Sequence, residues 1–278
     1  MNKKLQFFLV LMIACFGLSA VFAQSTNNGI TKTNLSQAEI DRIIKNVTTK
    51  EQEFREALAN YVFDRQATIQ TVGMGGQISG EFRRDSFMSL SPGGQRFEKV
   101  TFAPISSLQD LQITPEDLED LGGVNAFALD PSVANQYNFN YVGKEKIDEL
   151  DLYVFDVSPK VIPDPKKTKQ RFFQGRIWVD DRDLQIVKSK GKALPETKQN
   201  KFPIVETWRE NVDGKYWFPA YASVTGNDGE LVFDSGQVLR MKMEVKYSNY
   251  KQGKSEVIIL DDDVVDETTK PTPTPKKP

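Results

Sequence analysis

The chain is 278 residues long, with 36 lysines and arginines against 38 aspartates and glutamates and a formal net charge of −2. No basic block interrupts that balance, so no nucleic-acid partner is expected. Histidine is absent and Cys15 is the single cysteine, which excludes Ser-His-Asp and Cys-His catalysis, His-ligated zinc and histidine pH switching, and nominates no catalytic residue, metal or cofactor.

Residues 1–23 read as a cleavable signal peptide. Asn2, Lys3 and Lys4 form a short positive start, and Leu5 to Val21 is apolar except for Gln6 and Ser19. Val21-Phe22-Ala23 then places small residues at the −3 and −1 positions before the polar run Gln24-Ser25-Thr26, so cleavage is expected after Ala23. A retained anchor is the alternative, but the run falls short of the ~20 apolar residues that span a bilayer comfortably. Lipidation at Cys15 is a second, since Leu11-Met12-Ile13-Ala14-Cys15 loosely matches a lipobox, with Met12 a poor residue at its position. Cleavage after Ala23 removes Cys15, so the exported chain would hold neither disulfide nor thiol. What is left suffices for one large domain with tails: a flexible polar lead-in at 24–34, a domain at 35–263 and a disordered Thr/Pro/Lys-rich tail at 264–278.

In chain order, the domain opens on a helix. Ser36 with Glu39 makes a capping box, and Ile40, Ile43, Ile44, Val47, Phe54 and Leu58 recur at helical spacing to about residue 60. Thr48-Thr49 is a candidate kink. From Tyr61 the period becomes two, with Tyr61, Phe63, Ala67 and Ile69 on one face. Gly73-Met74-Gly75-Gly76 turns the chain; no Gly-Lys-Ser/Thr follows it, so it reads as a hairpin rather than a phosphate loop. Strands are expected over 77–90 and 95–103, joined at Ser91-Pro92-Gly93-Gly94. A second helical segment is expected over about 107–121, with Thr114 and Asp117 as a capping box, Pro115 at its first position, Leu118 and Leu121 facing inward, and Gly122-Gly123 as its end. Residues 124–135 read as irregular.

The second half reads as nearly all strand. Tyr137, Phe139 and Tyr141 alternate with asparagines, and Tyr153, Phe155 and Val157 alternate with Leu152, Val154 and Asp156. Phe173, Ile177 and Val179 share a face, and Asp180-Asp181-Arg182-Asp183 reads as a solvated turn lacking the spaced glutamate and glycine of a calcium loop. Strands at 203–212 and 215–224 flank the hairpin signal Asp213-Gly214. Over 236–250, Leu239, Met241, Met243, Val245 and Tyr247 face one way and Arg240, Lys242, Glu244 and Lys246 the other, and a last strand is expected at 254–260. Glu206 and Glu210 read as surface carboxylates rather than an acid–base pair. The pattern is α+β: a strongly curved antiparallel sheet of about ten strands with helices covering its concave face.

Gly143-Lys144-Glu145-Lys146-Ile147-Asp148, the strand ending Ile177-Trp178-Val179-Asp180 and the returning strand to Gly191 together resemble the outer-membrane lipoprotein-sorting proteins of the LolA/LolB-like superfamily. Glu149-Leu150 stand where that pattern has glycine. The resemblance is best over 137–225 and its motifs mark turns and pairings. It implies an unclosed β-barrel, a periplasmic location in a diderm bacterium and no catalytic residue. It also implies acyl chains of lipoprotein or lipid as partners, or, on the same fold, an envelope-stress sensing or interaction module with an envelope protein partner. The greasy strand faces then nominate a ligand pocket formed by Phe139, Tyr141, Tyr153, Phe155, Phe173, Ile177, Met241, Met243 and Val245.

The export reading gives the first prediction. N-terminal sequencing of the protein recovered from its native host is expected to begin at Gln24; an intact Met1 or a lipid-modified Cys15 would overturn it.

Overall fold

The computed structural model describes residues 29–91, 95–113, 117, 129–167, 171–198 and 200–253. The signal segment, the helical signals at Thr114, Pro115, Leu118, Leu121 and Gly122-Gly123, the strand expected at 254–260 and the C-terminal tail lie outside these residues.

Helix α1 spans Gln37–Leu58. The capping box forms as expected: Glu39 N–H donates to Ser36 Oγ, and Ser36 N–H donates to Glu39 Oε2. Thr48 and Thr49 do not break the helix, because both hydroxyls donate to Lys45 O and follow its turn. Arg96 closes the far end by donating to Leu58 O and Tyr61 O.

Eleven strands follow: β1 Tyr61–Val72, β2 Ile78–Leu90, β3 Arg96–Phe102, β4 Tyr137–Ile147, β5 Leu150–Pro159, β6 Phe172–Asp180, β7 Ile186–Leu194, β8 Val205–Val212, β9 Tyr216–Val224, β10 Glu230–Val232 and β11 Val238–Gln252. They form one antiparallel sheet in the order β3-β2-β1-β11-β9-β8-β7-β6-β5-β4, with β10 paired to β11. β3 and β4 do not pair with each other, so the sheet is open. Most neighbours are joined by hairpins; the exceptions are β11, which returns from the end of the chain to lie between β1 and β9, and β10, a short strand that pairs only with β11.

One face of this sheet carries two apolar clusters, and α1 contributes to both. Phe54 and Leu58 join residues of β1, β2 and β9–β11. Ile43 and Val47, a few turns earlier, join residues of β4–β7. On the opposite face Leu152, Val154, Trp178 and Val187 make a third, smaller cluster. β5 is therefore buried on both faces.

The structure differs from the sequence reading in four places. Residues 107–113 are not helical. They cross β2 as an extended strap: Ser107 N–H donates to Glu81 O at 2.9 Å, and Glu81 N–H donates to Ser107 Oγ at 3.0 Å. A Cβ on Gly80 would lie 2.3 Å from Ser107 O, so the crossing requires glycine. The strap is held by the backbone of β2, and Asp117, the one described residue of 114–121, is helical. Second, within the span read as irregular, Pro131–Ala134 forms one helical turn, α2, capped when Ser132 N–H donates to Asp130. Third, the lead-in is pinned: Thr31 bridges Lys144, and Gly143, at φ +152°, leaves the room that Thr31 O occupies. Fourth, the Asp180–Asp183 turn is not simply solvated. Asp180 is buried and accepts from Arg182 N–H, while Asp183 accepts from Gln185 N–H and Trp217 Nε1.

At the β3 end, the inner face turns polar. Glu98 accepts from Arg84 Nε and Nη2, both at 2.8 Å, and from Ser86 and the buried Arg65. Hydrogen bonds from Arg84, reinforced by Ser86 and the charge of Arg65, pull the Glu98 carboxyl from 4.5 down to about 2. A pKa depressed by folding stabilises the folded state above the unfolded value, and that contribution is lost as pH falls through the folded value. Urea unfolding should therefore show the wild type most superior to Glu98→Gln near neutrality, with the gap closing between about pH 4.5 and pH 2. A gap that stays constant with pH would contradict this assignment.

Candidate functional site

Between α1, the strap and the inner face of the sheet lies a cavity of about 180 Å³. Its floor is β11, whose Met241, Met243 and Val245 point in at every second position. Ile69 of β1, Ala222 of β9 and Leu231 of β10 extend that floor. Phe54 of α1 and Leu111 and Ile113 of the strap close it from above. Ser189 and Ala193 of β7 form the far wall. β1 and β7 are four places apart in the sheet, roughly 19 Å if it were flat. That both reach one cavity means the sheet bends around it.

A charged pair bounds the cavity on the α1 side. Val205, Thr207 and Arg209 alternate along β8 and share the inward face, while the paired strand β9 skips one residue between Tyr221 and Pro219 opposite Trp208 and Arg209. Arg209 donates to both oxygens of Glu51, at 2.5 and 3.0 Å, and its guanidinium lies 4.3 Å from the centre of the Phe54 ring. Glu51 is only 1% exposed and Arg209 11%. Burial also pushes the Tyr247 hydroxyl, on the cavity wall, well above the usual tyrosine range. Two further cations line the opposite, wetter side: Arg171, which donates to Asp117 and lies over the Phe202 ring, and Lys201, paired with Asp234.

The nine residues nominated from the sequence divide between two places. Met241, Met243 and Val245 line the cavity. Phe139, Tyr141, Tyr153, Phe155, Phe173 and Ile177 belong to the second cluster, under the N-terminal half of α1, where Tyr141 packs on Phe155 with ring centres 5.4 Å apart. That cluster is filled by aromatic rings: a Cβ on Gly191 would lie 2.4 Å from the Phe173 ring. Glu206 and Glu210 do not act as a pair, since Glu206 accepts from Trp208 Nε1 and pairs with Lys188 while Glu210 is exposed. Glu51 and Arg209 were missed. The signal available was Glu51 itself, a carboxylate on the apolar stripe Val47, Glu51, Phe54, Leu58.

No family model matches the chain, and no curated protein matches it. Among solved structures it is similar to a DUF1329 family protein from Desulfovibrio piger, at 14% identity over 76% of this chain and 92% of that one, with a TM-score of 0.38. It is also similar to the LolA superfamily protein NE2245 from Nitrosomonas europaea, at 13% identity over 74% and 94% of the two chains, TM-score 0.32. A third neighbour is MucB, at 14% identity over 77% and 94%, TM-score 0.27.

The buried pair yields a stability prediction. Glu51→Leu leaves the Arg209 charge uncompensated and is expected to cost about 3–5 kcal/mol in urea unfolding, while the double variant Glu51→Leu/Arg209→Met is expected to recover most of that loss. A single-variant loss below about 1 kcal/mol would put the pair on the level of a solvated surface bridge.

Proposed function

We propose that the protein is a non-catalytic binding or carrier protein for acylated lipoprotein or lipid, exported to the periplasm, with hydrocarbon held between the sheet and its cover. The observation that carries this reading is the cavity floored by alternate Met241, Met243 and Val245 under α1 and the strap. Its wall is largely hydrocarbon and thioether. Methionine, unbranched and polarizable, adapts to chains of varying shape. Each methylene moved from water into such a space contributes about 0.8 kcal/mol, so an acyl chain needs few specific polar contacts to bind. In this reading the ligand meets Met241, Met243 and Val245, while Phe139, Tyr141, Tyr153, Phe155, Phe173 and Ile177 hold the other half of the sheet to α1. The lysine-headed apolar segment at 1–23 supports export.

Met243→Glu places a carboxylate on the cavity floor, where it would repel hydrocarbon and be desolvated at a cost of several kcal/mol. Binding of a fluorescent fatty-acyl probe is expected to weaken at least tenfold, whereas Met243→Leu, nearly equal in volume, should change it little. Far-UV circular dichroism matching the wild type is the control. A folded glutamate variant that binds the probe as the wild type does would overturn the reading.

A further inference from the structure

Resting on that reading, the geometry points to a narrower ligand class: we infer that the cavity accepts one acyl chain at a time, from a single-chain amphiphile whose anionic head is held at the mouth by Arg171 and Lys201.

Volume sets the number of chains. The cavity measures about 180 Å³, only a little more than the ~150 Å³ apolar cavity that holds a single benzene ring, and below the ~300 Å³ at which drug-sized pockets begin. A space of about 180 Å³ is matched to one hydrocarbon chain rather than to two side by side. One chain does, entering end-on with its remaining length running to the mouth, so its head comes to rest among the residues there.

The inferred mouth is at Arg171 and Lys201, each of which is more exposed than Arg209. Among the described residues three cations line the cavity, and they are not equivalent. Arg209 commits both arms of its guanidinium to Glu51, which is shut off from water. An incoming anion there would strand a buried carboxylate, so Arg209 is unsuited to a head group. At the mouth the asymmetry is reversed. Arg171 has a side chain 18% exposed and faces Asp117 at 30%; Lys201, also 18%, faces Asp234 at 49%. In each pair the carboxylate is the more exposed partner; Asp234 lies off the cavity wall, whereas Asp117 lines it beside Arg171. A ligand carboxylate or phosphate can take the place of Asp234 beside Lys201, which rehydrates on release, and add to the contacts of Arg171, since a partly solvated ion pair costs little to exchange. A cationic head would meet the two bases instead and be refused.

Isothermal titration of the mature protein separates the alternatives. Dodecanoate and 1-dodecanoyl-lysophosphatidylglycerol present the same chemistry from a free acid and from a lipid, and whichever binds more tightly identifies the source. Methyl dodecanoate, dodecyltrimethylammonium and didodecanoyl phosphatidylglycerol are each expected to bind at least tenfold more weakly than the better of the two. Arg171→Gln and Lys201→Gln should each reduce the preference for dodecanoate over its methyl ester at least threefold. A wild type that binds the ester as well as the acid would overturn the head-group assignment. Equal binding of the diacyl lipid would overturn the single-chain assignment. Binding of none of the five would overturn the acyl-chain reading itself.

Discussion

An antiparallel sheet of this width that does not close leaves one whole face to be covered, and among the described residues helix α1 does most of the covering. α1 reaches both inner clusters, Ile43 and Val47 at one end and Phe54 and Leu58 at the other. Everything on the inner face is therefore referred to the position of one rod. That position is fixed at its middle by Glu51 and Arg209. A bidentate carboxylate–guanidinium contact is directional in a way that apolar packing is not, so it sets the height and rotation of α1 over β8.

A helix about 10 Å wide cannot fill the hollow of a sheet bent through five strands. Side-chain size settles where the space is left. Under the first half of α1 the sheet offers Tyr137, Phe155, Phe172 and Phe173, and these fill it. Under its last turns Phe218 is surrounded by Tyr61, Tyr216 and Tyr250, at ring separations of 4.9, 5.6 and 5.2 Å. Between these two aromatic blocks the inner positions are Ala222, Val245 and the methionines of β11, and there the cavity lies. The strap from Ser107 seals it from the side that α1 does not reach, and Gly80 is what lets the strap approach.

Much of this was legible in the sequence, for a clear reason. A period of two states which residues share a face, and it placed Leu239, Met241, Met243, Val245 and Tyr247 together, as they are. The capping box at Ser36 and Glu39 marked the helix start. Periodicity carries no information on which strands are neighbours, however. β11 is drawn from the C-terminal end of the chain to lie beside β1, and β9, β8 and β7 separate it from β6. That is why one nominated pocket resolves into two separate groups. Alternation puts Arg209 on one face with Val205 and Thr207, but it does not say that this face turns inward or that Glu51 of α1 meets it there. The helix expected from about residue 107 carried its signals at 114–123, and residues 107–113, ahead of them, take backbone partners on β2 instead.

The presence of a buried ion pair beside an apolar cavity is itself informative. Such a pair adds little to stability over well-packed hydrophobic residues of the same volume. Filling the space with leucine and methionine would serve the fold equally well, but it would let α1 settle into the hollow and close it. Two charged groups that must stay in register resist that collapse, because each ångström of descent would pull the guanidinium off the carboxylate and leave both desolvated. The pair is thus the means by which a helix is held above a sheet with a space left open beneath it.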